Sequence, residues 1–241
     1  MPRDVPDLQV RIGIIFYSMT GNVLRLCEAA ADGVEEVDGA MAELRTVPEL
    51  VPHERIDANP RLRSVYEQTH SYPEARPEDL REFDGFLFGT PTRYGNMSAQ
   101  LREFFDRSGG IWQEGSTIGK FAGVITSTST MHGGQESTAV TMWPTFIHLG
   151  MFPVGVPYSE TLLFEKVAEG GSPYAASSVS GPGSDQGPTE RELAIARTLG
   201  RRVAEVTLAQ KIGCTMLELA EERRIPIMEA FLTEGALTRG D

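Results

Sequence analysis

Residues 14–23 read Ile14-Ile15-Phe16-Tyr17-Ser18-Met19-Thr20-Gly21-Asn22-Val23, an apolar strand running straight into a small, hydroxyl-rich turn that opens a helix. Such a turn gathers several backbone N–H groups and the hydroxyls of Ser18 and Thr20, and the helix behind it adds the positive end of its dipole. It reads as an anion cradle or as an ordinary capped strand-to-helix turn. No lysine or arginine sits in it, which excludes a P-loop, whose lysine must reach the outer phosphates. The nearest P-loop spacing, from Gly115 to Lys120, is one residue short and lacks Ser or Thr after the lysine. A dinucleotide fingerprint needs three glycines, and this turn has only Gly21. What remains suits one terminal phosphate, as on flavin mononucleotide (FMN).

On either side of this stretch the pattern of a layered fold continues. Residues 10–17 are almost entirely apolar, as in a strand covered on both faces. The following helix, 21–34, places Leu24, Cys27, Ala31 and Val34 on one face. Residues 40–47 alternate and read as a second strand near a sheet edge, followed by strands at 84–90, 121–127 and 151–156. Helical patterns lie at 97–107 and 134–148. This alternation predicts an α/β fold, a doubly wound five-stranded parallel sheet with right-handed crossovers and helices on both faces. Ligands of such sheets bind beyond the carboxyl ends of the strands. Three of those ends carry polar, glycine-bearing loops: Ser18 to Val23, then Pro91, Thr92, Arg93, Tyr94, Gly95 and Asn96, then Ser127, Thr128, Ser129, Thr130, Met131, His132, Gly133 and Gly134.

Two stretches break the economy of the pattern. Residues 53–77 insert a polar, proline-bounded segment with Leu62, Val65 and Tyr66 at helical spacing, and residues 170–188, rich in Gly, Ser and Pro, read as a long surface loop. A helix is expected at 189–212, capped by Thr189 with Glu192 at the capping-box position. A further amphipathic stretch spans 215–224, ahead of Pro226 and an apolar patch around Phe231.

With 241 residues, 40% of them hydrophobic, the chain can bury a real core. Twenty-two basic against 34 acidic residues give a net charge of −12, which disfavours nucleic acid and anionic membranes as partners. No run is long enough to span a bilayer and the first residues lack a signal-peptide core, so a cytoplasmic protein without membrane insertion is expected. Cys27 and Cys214 have no metal-ligand spacing and suit a reducing compartment.

Single residues read two ways. Arg93 could sit beside a flavin or join a surface salt bridge, and Trp112 could wall an aromatic substrate pocket or simply pack. His148 ends its helix opposite the strand tips and is structural unless a neighbouring subunit brings it near a flavin. No Ser/His/Asp order, H-E-x-x-H motif or suitably spaced carboxylate pair appears, so any chemistry would be a cofactor's.

Several blocks together carry a family resemblance. They are Tyr17-Ser18-Met19-Thr20-Gly21-Asn22, Gly89-Thr90-Pro91-Thr92-Arg93-Tyr94-Gly95-Asn96-Met97, Gly109-Gly110-Ile111-Trp112, Gly133-Gly134-Gln135-Glu136, His148-Leu149-Gly150-Met151 and Gly170-Gly171-Ser172-Pro173-Tyr174-Ala175. With them the chain resembles the flavodoxin-like superfamily, sheet order 2-1-3-4-5, and within it the WrbA-type NAD(P)H:quinone oxidoreductases. The resemblance spans residues 9–211 as an FMN-binding domain, with 212–241 as a C-terminal helical extension. It implies a homotetramer that takes two electrons from NADH or NADPH and passes them to a quinone. In it Ser18 to Val23 would hold the FMN phosphate, and the loop of Thr92, Arg93 and Tyr94 the ring. Ser127 to Gly134 would meet the ribityl chain and ring edge, His148 would approach FMN, and Trp112 would line the quinone and nicotinamide pocket, partly across a subunit boundary. Thr20 stands where the family commonly has an aromatic residue, and it makes the loop look more like that of electron-transfer flavodoxins. A one-electron carrier and a non-catalytic scaffold are the alternative readings.

Overall fold

The computed structural model describes residues 8–216. Its first strand, β1 (Val10–Phe16), shows why the apolar run is nearly unbroken. Side chains alternate across a strand, so Ile12, Ile14 and Phe16 enter one core while Ile15 and Tyr17 enter another on the opposite face. Helix α1 (Asn22–Glu35) returns the chain to β2 (Ala40–Thr46) at the sheet edge. The 53–77 segment forms two short helices, α2 (His53–Asp57) and α3 (Pro60–Thr69), and α4 (Asp79–Glu82) leads into β3 (Gly85–Pro91). Then follow α5 (Ala99–Asp106), α6 (Gly109–Gln113), β4 (Phe121–Thr128), α7 (Gln135–His148) and β5 (Phe152–Val154). The last elements are β6 (Ala176–Val179) and α8 (Glu190–Met216).

All paired strands are parallel, in the order β2-β1-β3-β4-β5 that the resemblance implies. The fifth position is filled in two instalments. β5 pairs with the first three residues of β4, and β6 pairs with its last four, Ile125 to Thr128. One face carries α1 and α8, and the other α5, α6 and α7. Cys27 is a fully buried packing group whose thiol burial pushes well up in pKa, the nearby Glu28 adding to the effect.

The first part of 170–188 is not the surface loop expected from its composition, whereas Pro182, Gly183, Asp185 and Gln186 are exposed as expected. Ala175, Ala176, Ser177, Ser178 and Ser180 are buried along the open end of β4. Small side chains permit this because their hydroxyls find partners: Ser178 donates to the Ser127 hydroxyl at 2.9 Å and Ser180 to the carbonyl of Thr128 at 2.9 Å. Glu192 anchors the segment from α8. It is fully buried and accepts from the N–H groups of Gly170, Val179 and Thr189 at 2.7, 2.9 and 2.9 Å. The last of these bonds, with the Glu192 N–H donating to the Thr189 hydroxyl at 3.2 Å, completes the expected capping box.

Helix α8 runs through 212 to Met216 without interruption, and the apolar patch near Phe231 lies outside the described residues. Among the described residues no helix is long and apolar enough to cross a membrane.

Candidate functional site

The carboxyl end of the sheet forms the site, beginning at the turn between β1 and α1. Gly21 caps α1 at φ +90°, a left-handed conformation that favours glycine. No side chain caps the helix from this position. Ser18, buried, accepts from the Leu24 N–H at 3.2 Å, which leaves its own proton free for a ligand. Among the described residues the N–H groups of Thr20, Gly21, Asn22 and Val23 have no protein acceptor, although Asn22 and Val23 are buried. Orphan donors at a buried helix start require an acceptor, and a phosphate dianion supplies several oxygens in that place.

Behind the turn, the buried Tyr17 hydroxyl donates to Glu49 at 2.9 Å, and Gln100 donates to the same carboxylate at 2.8 Å. Burial, reinforced by Glu49, raises the Tyr17 pKa far above the ordinary phenol range, so it stays a neutral donor. This network holds the end of β1 against the loop leaving β2, a fastening with no local sequence signal.

The loop after β3 makes a tight two-residue turn. Arg93 and Asn96 exchange backbone hydrogen bonds at 2.7 and 3.1 Å around Tyr94 and Gly95, both with positive φ, the geometry of a type I′ turn. Tyr94 is thereby held fully exposed at the tip. Thr92 is tied down on both sides: its N–H donates to Ser127 O at 3.0 Å, and its hydroxyl shares a 2.7 Å bond with that of Thr138. Arg93 folds back, Nη1 donating to the Thr92 carbonyl at 2.9 Å and Nη2 resting 3.5 Å from the Met19 sulfur. Among the described residues no carboxylate pairs with it, so its charge faces the cleft unneutralised.

Ser18, Met19, Thr20, Val23, Pro91, Thr92, Arg93, Ser127, Thr128 and Ser129 line one cleft of about 160 Å³. Parts of three loops far apart in sequence therefore meet in this cleft, while Tyr94, Gly95, Asn96 and Thr130 to Gly134 do not line it. Ser180 and Ser184 complete the wall, and sequence reasoning missed both because they lie in the stretch taken for a surface loop. Ser177, Ser178 and Ser180, followed by Gly181-Pro182-Gly183-Ser184, were their one available signal.

The rest of the β4 loop turns elsewhere. Thr130 accepts from Gly133 N at 3.0 Å, and Met131, His132 and Gly134 line an adjoining hollow of about 420 Å³ with Glu136, Glu169 and Gly170. Trp112 and His148 come together, although not at the cleft. With Phe105, Pro144 and Leu149 they line a separate groove of about 510 Å³ along α6 and the end of α7. Both are exposed there. Among the described residues no cluster of His, Cys, Asp or Glu could hold a metal ion.

Sheet order and cleft define a flavodoxin-like α/β protein with unpaired backbone donors at its first strand-to-helix turn. Residues 10–160 match the NADPH-dependent FMN reductase family, and the chain belongs to it. An NAD(P)H dehydrogenase (quinone) of Acidithiobacillus ferrooxidans is 47% identical over 200 residues, covering 82% of this chain and 96% of that protein. One from Aromatoleum aromaticum is 44% identical over 202 residues, covering 83% and 97%. A solved WrbA-like flavodoxin from Agrobacterium tumefaciens shares the fold, with a TM-score of 0.55 at 21% identity, covering 83% of this chain and 98% of that one.

Proposed function

We propose that this protein is an FMN-dependent NAD(P)H:quinone oxidoreductase that reduces quinones by two electrons. The observation that carries the reading is the convergence of the unpaired turn donors, Arg93 and the Ser127–Ser129 hydroxyls on a single cleft. Family membership and the names of the relatives support the same activity. FMN, when bound, supplies the two-electron redox chemistry between nicotinamide and quinone.

The chain's own residues bind and orient. Ser18 and the N–H groups of Thr20 to Val23 take the phosphate, and Ser127, Thr128 and Ser129 the polar side chain of the flavin. Arg93 places positive charge beside the ring edge that gains negative charge on reduction. Arg93→Ala is expected to weaken FMN binding roughly twofold to fivefold, the worth of one exposed charge contact, and to lower the flavin midpoint potential. Equilibrium titration and potentiometry measure the two effects, and no change in either would remove Arg93 from the site.

The groove of Trp112 and His148 is separate from the cleft of its own subunit. We place it at a subunit boundary of a homotetramer, where a neighbour's groove covers the flavin face and receives the aromatic acceptor. Trp112→Ala is accordingly expected to raise KM for quinone severalfold with FMN affinity unchanged, and an unaltered KM would count against this placement. Residues 9–211 act as the FMN-binding domain with 212–241 appended. A cytoplasmic location fits the two free cysteines.

The decisive experiment is an anaerobic NADH titration of the FMN-loaded protein with the flavin spectrum recorded throughout. Bleaching without a radical band, reversed by benzoquinone, is the expected result. A flavin that NADH cannot reduce, but that forms a stable radical with dithionite, would mark a one-electron carrier instead.

A further inference from the structure

The turn that cradles the phosphate has no basic side chain, yet two arginines from elsewhere reach the loop that overhangs it. Arg61, near the start of α3, donates through Nη1 to the carbonyl of Gly183 at 3.1 Å and through Nη2 to the carbonyl of Ser184. The side-chain amide of Asn22, in the turn itself, donates to the same Ser184 oxygen at 3.4 Å. The Ser184 hydroxyl lies 3.0 Å from that of Ser129 and forms part of the cleft wall. The Arg25 guanidinium, from the first turns of α1, lies against Gly187 of the same overhanging loop.

The position of Arg61 is built in. Asn59 caps α3 by accepting from the N–H groups of Arg61 and Leu62 at 3.0 and 3.3 Å, with Pro60 at the first helical position. Helix α3 also packs on the phosphate turn, since a Cβ at Gly21 would lie 3.7 Å from Val65. Among the described residues no carboxylate lies within 4 Å of Arg61 or Arg25, whereas Arg63, on the same helix, pairs with Asp57 and Glu67. Neutral carbonyl partners leave the charge of Arg61 intact. In a chain of net charge −12, two uncompensated cations flanking one loop at the anion-binding end form a local positive field.

We propose that Arg61 is a positioning residue for the phosphate end of the flavin site. It pins Gly183 and Ser184 over the Ser18-to-Val23 turn and brings in the positive charge that the turn lacks. The ligand class is a phosphate monoester dianion. The inserted segment between β2 and β3 thereby acquires a role: it carries the cation. This inference rests on the FMN reading above and assigns the FMN-over-riboflavin preference to a residue outside the cradle.

The test is fluorescence titration of the full-length apoprotein with FMN and, separately, riboflavin, for the wild type, Arg61→Gln, Arg61→Lys and Arg25→Gln. Arg61→Gln is expected to weaken FMN binding roughly threefold to fivefold while riboflavin affinity stays unchanged, and Arg61→Lys to recover part of the loss. Because the phosphate takes its second charge near pH 6, wild-type affinity for FMN should rise between about pH 5.5 and about pH 7.5, and Arg61→Gln should flatten that rise. Arg25→Gln, lacking a bond to the Ser184 carbonyl, should weaken FMN less. Equal weakening for both flavins would make Arg61 a structural strut and overturn the proposal, as would unchanged FMN affinity. A wild type that prefers FMN while Arg61→Gln keeps the preference removes this inference alone. A wild type that binds neither flavin removes the FMN reading and this inference with it.

Discussion

Replacing Glu192 by alanine is expected to destabilise the protein by about 3–5 kcal/mol, because it removes the fully buried carboxylate that accepts from the N–H groups of Gly170, Val179 and Thr189 at once. Each unsatisfied buried donor costs about 1–3 kcal/mol, and a cavity the size of a carboxylate does not fully collapse. For a chain of this size the melting temperature should fall by roughly 2–4 °C per kcal/mol. The loss reaches the site as well, since Glu192 holds both ends of the segment bearing Ser180 and Ser184. FMN should bind more weakly in the folded variant. Glu192→Gln keeps one acceptor oxygen and should fall between wild type and alanine. Urea unfolding checks the order, and a cost below about 1 kcal/mol for alanine would mean that water replaces the carboxylate.

Gly200→Ala is expected to cost at least about 3 kcal/mol, even though alanine is the better helix former by about 1 kcal/mol. A Cβ there would lie 1.9 Å from the carbonyl oxygen of Ala30, and the reciprocal contact puts a Cβ at Gly33 2.0 Å from that of Arg197. Both obstacles are helix backbone, so relief requires α1 and α8 to move apart while the sheet holds both. Gly213→Ala, on the same helix, is the control: among the described residues its Cβ would meet nothing within 4 Å. That variant should be neutral or slightly stabilised. Equal melting temperatures for the two variants would show that α1 and α8 separate easily.

Glu192 and Gly200 also mark the two kinds of information in the chain. The Thr189–Glu192 capping box was legible because both partners lie within one helical turn. The Gly33–Gly200 contact was not, since nothing near either glycine names its partner. The donor-rich turn at Ser18 to Val23 was legible for the first reason, because its donors lie within six residues of one another. The same holds for the polar loops at the ends of β3 and β4. Residues 170–188 misled because burial was inferred from hydrophobic pattern, and a serine-rich strand satisfied by Ser127 and Thr128 has none. The placement of His148 away from the strand tips was legible from where its helix ends, whereas the shared groove of Trp112 and His148 required the fold.

Strand and helix periods, caps and turn residues act over a few residues each, so the chain alone specified the α/β alternation, the parallel sheet and the three loops that meet at its carboxyl end. Arg61 reaches Gly183 across 122 positions of sequence and Glu49 receives Tyr17 across 32. Such meetings depend on how crossovers stack helices on a twisted sheet, a property of the packed whole. For that reason the closing of the cradle by Ser180, Ser184 and Arg61 was decided in three dimensions.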